Sequence, residues 1–131
     1  MRAGSCTINV GIIGCGRIAE HHLRYLRAAT GVRVVGLSDT LVANAERTAR
    51  TYGVEHVFAS HDEPLQLPSL DAVHILTPPE FHYRQASNAI DRGVHLFLEK
   101  LAPYHASELE DLYRSAEATR QSKTVSNGYF I

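Results

Sequence analysis

The chain has 131 residues, 44% of them hydrophobic, with 13 basic and 14 acidic side chains and a formal net charge of −1. That is enough for one domain with a real core. The even charge balance, with no block of one sign, argues against a nucleic-acid or membrane surface. The longest apolar runs are strand-sized, too short for a transmembrane helix. Residues 1–7 are polar and lack the apolar stretch of a secretory signal, so a cytoplasmic location is expected. The two cysteines, Cys6 and Cys15, read as reduced thiols, because a bridge between them would distort the turn that holds Cys15.

The first predicted element is the β-branched run Ile8-Asn9-Val10-Gly11-Ile12-Ile13. It enters the turn Gly14-Cys15-Gly16-Arg17-Ile18-Ala19 and then a helix over about 17–28, on which Ile18, Leu23 and Leu26 recur at helical spacing. A G-x-G-x-x-[GA] pattern carries weight only between a strand and a helix, and here it has both. Gly14 permits the tight turn and Gly16 leaves room for a pyrophosphate against the backbone. Ala19 is small enough for the helix to pack on the strand. The first helical N–H groups, at the positive end of the helix dipole, suit an anion. Arg17 either reaches a phosphate or is a solvated arginine over the helix start. Cys15, near a helix N-terminus, either has a lowered pKa or is a small side chain filling a variable slot.

A second strand, 33–38, ends at Asp39, about twenty residues past the turn, where a carboxylate accepts the adenosine ribose hydroxyls. Asp39 repels a 2′-phosphate, and neither Thr40 nor Leu41 offers a charge to receive one. NAD is therefore expected over NADP, with Arg17 and Arg47 as the cations available to compensate. A helix at 41–52 follows, capped by Gly53, then a short strand near Val57-Phe58 and a loop over 60–69 with one helical turn. Strands at 72–76 and 94–98 are apolar almost throughout, the pattern of strands buried on both faces of a parallel sheet. His74 and His95 within them read as satisfied core residues. Helices are expected at 79–92 and 106–121, with capping boxes at Thr77-Pro78-Pro79-Glu80 and Ser107-Glu108-Leu109-Glu110. The last helix puts Leu109, Leu112, Tyr113 and Ala116 on one face, and a final strand covers 124–129. Right-handed crossovers then give one α/β domain: a doubly wound parallel sheet in the order 3-2-1-4-5-6, with helices on both faces.

Four stretches go beyond a generic dinucleotide fold. They are Gly14-Cys15-Gly16-Arg17-Ile18-Ala19 with His22; Ser38-Asp39; Asp71-Ala72-Val73-His74-Ile75-Leu76-Thr77-Pro78-Pro79 with His82; and Gly93-Val94-His95-Leu96-Phe97-Leu98-Glu99-Lys100. In order and spacing they resemble the N-terminal domain of the glucose–fructose oxidoreductase / inositol dehydrogenase / MocA family, from Ile8 to about Phe130. The resemblance implies an NAD(P)-dependent oxidoreductase acting on CH–OH groups of sugars, polyols and related carbonyl compounds. It implies a Rossmann domain over residues 1–131, and a C-terminal substrate domain, commonly also the homo-oligomer interface, that this chain does not contain. A stand-alone, non-catalytic dinucleotide-binding or regulatory module is the alternative. A methyltransferase using S-adenosylmethionine is disfavoured by Ile18 at the third glycine position of a G-x-G-x-G loop.

The resemblance also assigns residues. Lys100 matches the lysine of an E-K-P motif beside the nicotinamide ribose and the reacting carbon. There it serves as a base with a lowered pKa or as a fixed cation for a developing alkoxide; a solvated lysine after a strand is the alternative. Leu101 stands where the family has proline. Glu99 matches a glutamate near the cofactor ribose or nicotinamide, or is a structural partner of Lys100. Thr77, Pro78 and Pro79 match residues lining the cofactor crevice, with Thr77 also a candidate N-cap. His82 matches a histidine one turn into the next helix, suited to packing or to hydrogen bonding behind the site rather than to proton transfer. The 8 histidines form no H-E-x-x-H or cysteine–histidine pattern, so no metal is expected.

Overall fold

The computed structural model describes residues 7–60, 63–98, 106–119, 123–125 and 129–130. Its elements run β1 (Ile8–Ile13), α1 (Arg17–Ala28), β2 (Val32–Ser38), α2 (Val42–Tyr52), β3 (His56–Phe58), β4 (Ala72–Ile75), α3 (His82–Asp91), β5 (His95–Leu98), α4 (Ala106–Thr119), β6 (Lys123–Val125) and β7 (Tyr129–Phe130). Single 3-10 turns lie at Glu63–Gln66 and Pro79–Phe81. The sheet order is β3-β2-β1-β4-β5-β6-β7. β1 to β6 pair in parallel and β7 is antiparallel to β6. The expected 3-2-1-4-5-6 order holds. The order reverses between β1 and β4, so the crevice at the carboxyl ends of these strands is the switch point where such sheets take ligands.

Neighbouring strand residues face opposite sides of a sheet, and the core divides accordingly. Ile12 joins Val10, Ala19, Leu23, Leu37 and Ala45 beneath α1 and α2. Ile13 joins Val73, Ile75, Ala86, Ile90 and Leu112 on the side of α3 and α4. Each fully buried Leu or Ile contributes roughly 1.5–3 kcal/mol of transfer free energy. Close packing also explains a glycine within a strand. A Cβ at Gly36 would come within 2.9 Å of Leu67 Cδ1, so any larger residue there would make the Leu67 side chain shift.

Several expectations are corrected. β4 and β5 are not buried on both faces: Leu96 and Leu98 are buried, whereas Phe97 is half-buried and His95 exposed. Among the described elements, α1 reaches that face of β5 through His22 against Phe97, while His95 is exposed, so His95 is not a core residue. The 3-10 turn at Pro79–Phe81 delays α3 to His82, and its N-cap, Phe81, makes no side-chain cap. Neither expected capping box forms as read, since Ser107 already lies inside α4. The last strand is two short ones, β6 and β7. Leu112 and Ala116 are buried and Tyr113 is half-buried, as the helical pattern of the last helix requires.

Candidate functional site

The glycine turn is fastened to the sheet by backbone bonds. The Gly14 N–H donates to the Ser38 carbonyl at 2.8 Å, and the Leu76 N–H to the Ile13 carbonyl at 2.8 Å. Gly14 has φ +98°, and a Cβ there would lie 3.0 Å from the Leu76 carbonyl carbon and oxygen. Both its conformation and its surroundings demand glycine. Gly16 differs. Its φ is −81°, open to any residue, and a Cβ would meet no atom of the described residues within 4 Å beyond its chain neighbours. Ala19 is fully buried beneath the turn. Gly16 is the N-cap of α1 and supplies no side-chain cap; the Ala19 N–H donates to the Gly16 carbonyl at 3.1 Å, and the Arg17 and Ile18 amides ahead of it are the ones an anion would meet. Arg17 and Ile18 are exposed at this end.

Asp39 stands beside the turn at the end of β2. Its Oδ2 accepts the Cys15 N–H at 2.9 Å and its Oδ1 accepts the Leu41 N–H at 2.8 Å. Each oxygen keeps a second lone pair, so the half-exposed carboxylate still has capacity for hydroxyl donors. Cys15 is buried, and its Sγ donates to the Ser38 carbonyl at 3.4 Å. Burial, seconded by the Asp39 carboxylate, pushes the thiol up to about 12, against the weaker pull of Arg47. The alternative of a lowered Cys15 pKa is therefore overturned: desolvation outweighs the helix start. A cleft of about 380 Å³ opens between α1 and α2 beside the turn, with Gly16, Arg17, Glu20, Asn44 and Arg47 in its walls.

Across the switch point, Thr77 is nearly buried and Pro78 exposed, and Pro79 opens the 3-10 turn. Thr77 does not cap α3. Its hydroxyl donates instead to Gln85 Oε1, and its carbonyl accepts His82 Nε2–H at 2.5 Å. His82 and Gln85 are both fully buried. His82 thus lies beneath the crevice wall and acts on it through the Thr77 carbonyl. The fully buried Ser38 Oγ has no hydrogen-bond partner among the described residues. Glu99, Lys100 and Leu101 lie outside the described residues.

Sequence reading missed two features. Gln85 is the buried partner of Thr77, eight residues on, and no local pattern marks it. His22 Nδ1 and His74 Nδ1 share a hydrogen bond at 3.0 Å that ties α1 to β4 beside Phe97. The wall supplied by α2 did leave a signal: Asn44, Arg47, Thr48 and Thr51 recur at helical spacing as a polar stripe. No group of three or more metal-ligating side chains converges among the described residues, and no described helix is long and apolar enough to cross a membrane.

A parallel sheet with a glycine turn, a small residue beneath it and an acid at the end of the second strand defines a dinucleotide-binding domain of the Rossmann class. The chain belongs to the GFO_IDH_MocA oxidoreductase family, whose NAD-binding Rossmann fold matches residues 8–129. It is 32% identical over 119 residues to the scyllo-inositol 2-dehydrogenase (NAD(+)) of Bacillus subtilis (strain 168), covering 90% of this chain and 34% of that protein. The D-glucoside 3-dehydrogenase of Escherichia coli (strain K12) is 29% identical over 114 residues, 84% of this chain and 32% of the relative. Among solved structures, the scyllo-inositol dehydrogenase of Lactobacillus casei with bound NAD(H) and scyllo-inositol superposes with a TM-score of 0.84 at 25% identity, over 92% of this chain and 36% of that one. KijD10, a 3-ketoreductase from Actinomadura kijaniata in complex with TDP-benzene and NADP, gives 0.85 at 26% identity, over 91% and 38%. The chain therefore spans about a third of the length of these relatives.

Proposed function

We propose that the chain binds NAD(H) along the carboxyl ends of β1, β2 and β4, as the cofactor-binding part of an oxidoreductase acting on a CH–OH group of a sugar or polyol. Gly16 carries the reading. Neither its φ nor any nearby atom of the described residues requires glycine there, whereas a pyrophosphate lying against the start of α1 does. The Asp39 carboxylate takes the adenosine ribose hydroxyls on its remaining lone pairs and favours NAD over a cofactor with a 2′-phosphate. Thr77, Pro78 and Pro79 form the opposite wall, and the His82 and Gln85 bonds fix its shape.

When bound, the nicotinamide supplies the hydride acceptor. The family's E-K element assigns the remaining chemistry to Glu99 and Lys100: Lys100 takes the substrate hydroxyl proton or holds the alkoxide, and Glu99 orients the ribose or the lysine. A polyol or sugar substrate is supported by the scyllo-inositol and D-glucoside dehydrogenases among the relatives. Because these residues span about a third of such proteins, the contacts that hold the substrate come from polypeptide outside them.

Calorimetric titration with NAD, NADP and S-adenosylmethionine tests the reading. The expected result is NAD binding in the wild type and its loss in a folded Gly16→Val variant. Unchanged affinity in that variant means the glycine turn is not the pyrophosphate site. Binding without turnover in every longer form would favour the non-catalytic module.

A further inference from the structure

We propose that Arg47, acting across the α1–α2 cleft from Arg17, receives a phosphate on the 2′ position of the adenosine ribose, so that the site admits NADP as a second cofactor beside NAD. The inference rests on the dinucleotide reading above and adds a specificity-determining residue to it. Asp39 alone would predict strong exclusion of a 2′-phosphate. The residues that follow it in the chain, Thr40 and Leu41, carry no charge. The cation comes instead from the second turn of the next helix.

Three observations carry the inference. Arg17 and Arg47 lie on different helices and line the same cleft of about 380 Å³, together with Gly16, Glu20 and Asn44. That cleft also borders Cys15, whose N–H is bonded to the Asp39 carboxylate at 2.9 Å, so it opens within one residue of the ribose acid. Arg47 is close enough to act electrostatically on the buried Cys15 thiol.

The two guanidinium groups are also uncommitted. Among the described residues neither Arg17 nor Arg47 enters an ion pair. Arg33 and Arg114 pair with Glu55 and Glu110, and Arg27 sits over the Tyr52 ring. The acidic groups near the cleft are Asp39 and Glu20. Asp39 already accepts two backbone N–H donors, which spread part of its charge. Two cations and a helix start therefore face two carboxylates, a balance that tolerates a phosphate rather than repelling it. Guanidinium suits phosphate through paired N–H donors.

The test is titration of the purified protein with NAD and NADP at one fixed ionic strength, for the wild type, Arg47→Ala and Arg47→Lys. Wild type should bind NADP within about tenfold of NAD. Arg47→Ala should weaken NADP at least tenfold more than NAD, and Arg47→Lys should recover most of that loss. Raising the salt should weaken NADP more than NAD. A wild type that binds NAD but not NADP, or an Arg47→Ala variant with an unchanged ratio of the two affinities, overturns the assignment. Failure to bind NAD as well overturns the dinucleotide reading and this inference with it.

Discussion

The Asp39 carboxylate accepts the Cys15 N–H at 2.9 Å, tying the end of β2 to the middle of the glycine turn. One side chain thus shapes the turn and presents an acid beside it, and two substitutions separate these roles. Asp39→Ala leaves the Cys15 amide without its acceptor and should cost about 1–3 kcal/mol in urea unfolding. Asp39→Asn keeps one acceptor oxygen for the Cys15 N–H but turns an NH2 donor toward the Leu41 N–H, so it should lose less stability than Asp39→Ala. It should still weaken NAD and narrow the difference between NAD and NADP in the same calorimetric titration. Equal loss of stability in both variants would mean that the charge itself, and not the hydrogen bond, holds the turn.

The two turn glycines should respond in opposite ways. At Gly14, φ is +98° and an added Cβ lies 3.0 Å from backbone atoms of Leu76. Gly14→Ala should therefore destabilise the fold by about 2 kcal/mol or more. At Gly16 an added Cβ meets nothing, so Gly16→Ala should change stability by no more than about 0.5 kcal/mol while reducing NAD affinity. Denaturation midpoints and binding constants measured together decide the matter. A Gly16→Ala variant as unstable as Gly14→Ala would show that protein packing sets both positions.

His82 is fully buried, with Nε2 on the Thr77 carbonyl at 2.5 Å. Since a carbonyl only accepts, that nitrogen carries the proton. A group so placed packs and orients, and His82→Ala should cost about 2–4 kcal/mol through the cavity and the unpaired carbonyl. NAD affinity, measured well below the melting temperature, should fall because the wall carrying Pro78 loosens. Stability close to wild type would contradict the buried role.

The sheet was legible in the sequence because its strands are short apolar runs separated by helices of amphipathic period. The run from Ile8 to Ile13, the small Ala19 and the acid Asp39 carry local signatures that tertiary context does not override. What sequence could not reveal is long-range or one-sided. Nothing near Thr77 announces that its hydroxyl goes to Gln85 rather than to the start of α3. The burial of β5 is one-sided, because Val94 to Leu98 is apolar enough for two covered faces while only the alternating Val94, Leu96 and Leu98 are buried. The thiol of Cys15 was ambiguous for the same reason. Its position near a helix start is visible in the sequence, but its desolvation is a property of the packed fold.

The role assigned to Lys100 is tested in a longer form that turns over. If it acts on the reacting hydroxyl, Lys100→Ala should lower kcat strongly and leave NAD affinity within about tenfold, roughly 1.4 kcal/mol. Lys100→Arg should not restore the rate, since a guanidinium does not readily give up its proton. Near-wild-type kcat in both variants would assign the base to another residue and implicate Leu101, which stands at the family's proline position, in redirecting the chain.

The Cys15 thiol gives the fold a pH dependence of definite sign. Its ordinary value is 9.0, and burial followed by the Asp39 charge pushes it up to about 12. Well below pH 9 the thiol is protonated in both folded and unfolded chains and contributes no slope. Between about 9 and 12 the unfolded chain releases the proton while the folded one keeps it. Stability should therefore fall as pH rises through this window, by at most about 1.4 kcal/mol per pH unit from this group. Urea unfolding at pH 8, 9, 10 and 10.5 should show the decline, and Cys15→Ala should flatten it. The same burial makes the native thiol slow to react. In a Cys6→Ser background, iodoacetamide at pH 8 should label Cys15 far more slowly in the native protein than in urea. Equal labelling rates, or an identical pH slope in Cys15→Ala, would show that the thiol is not held neutral behind the glycine turn.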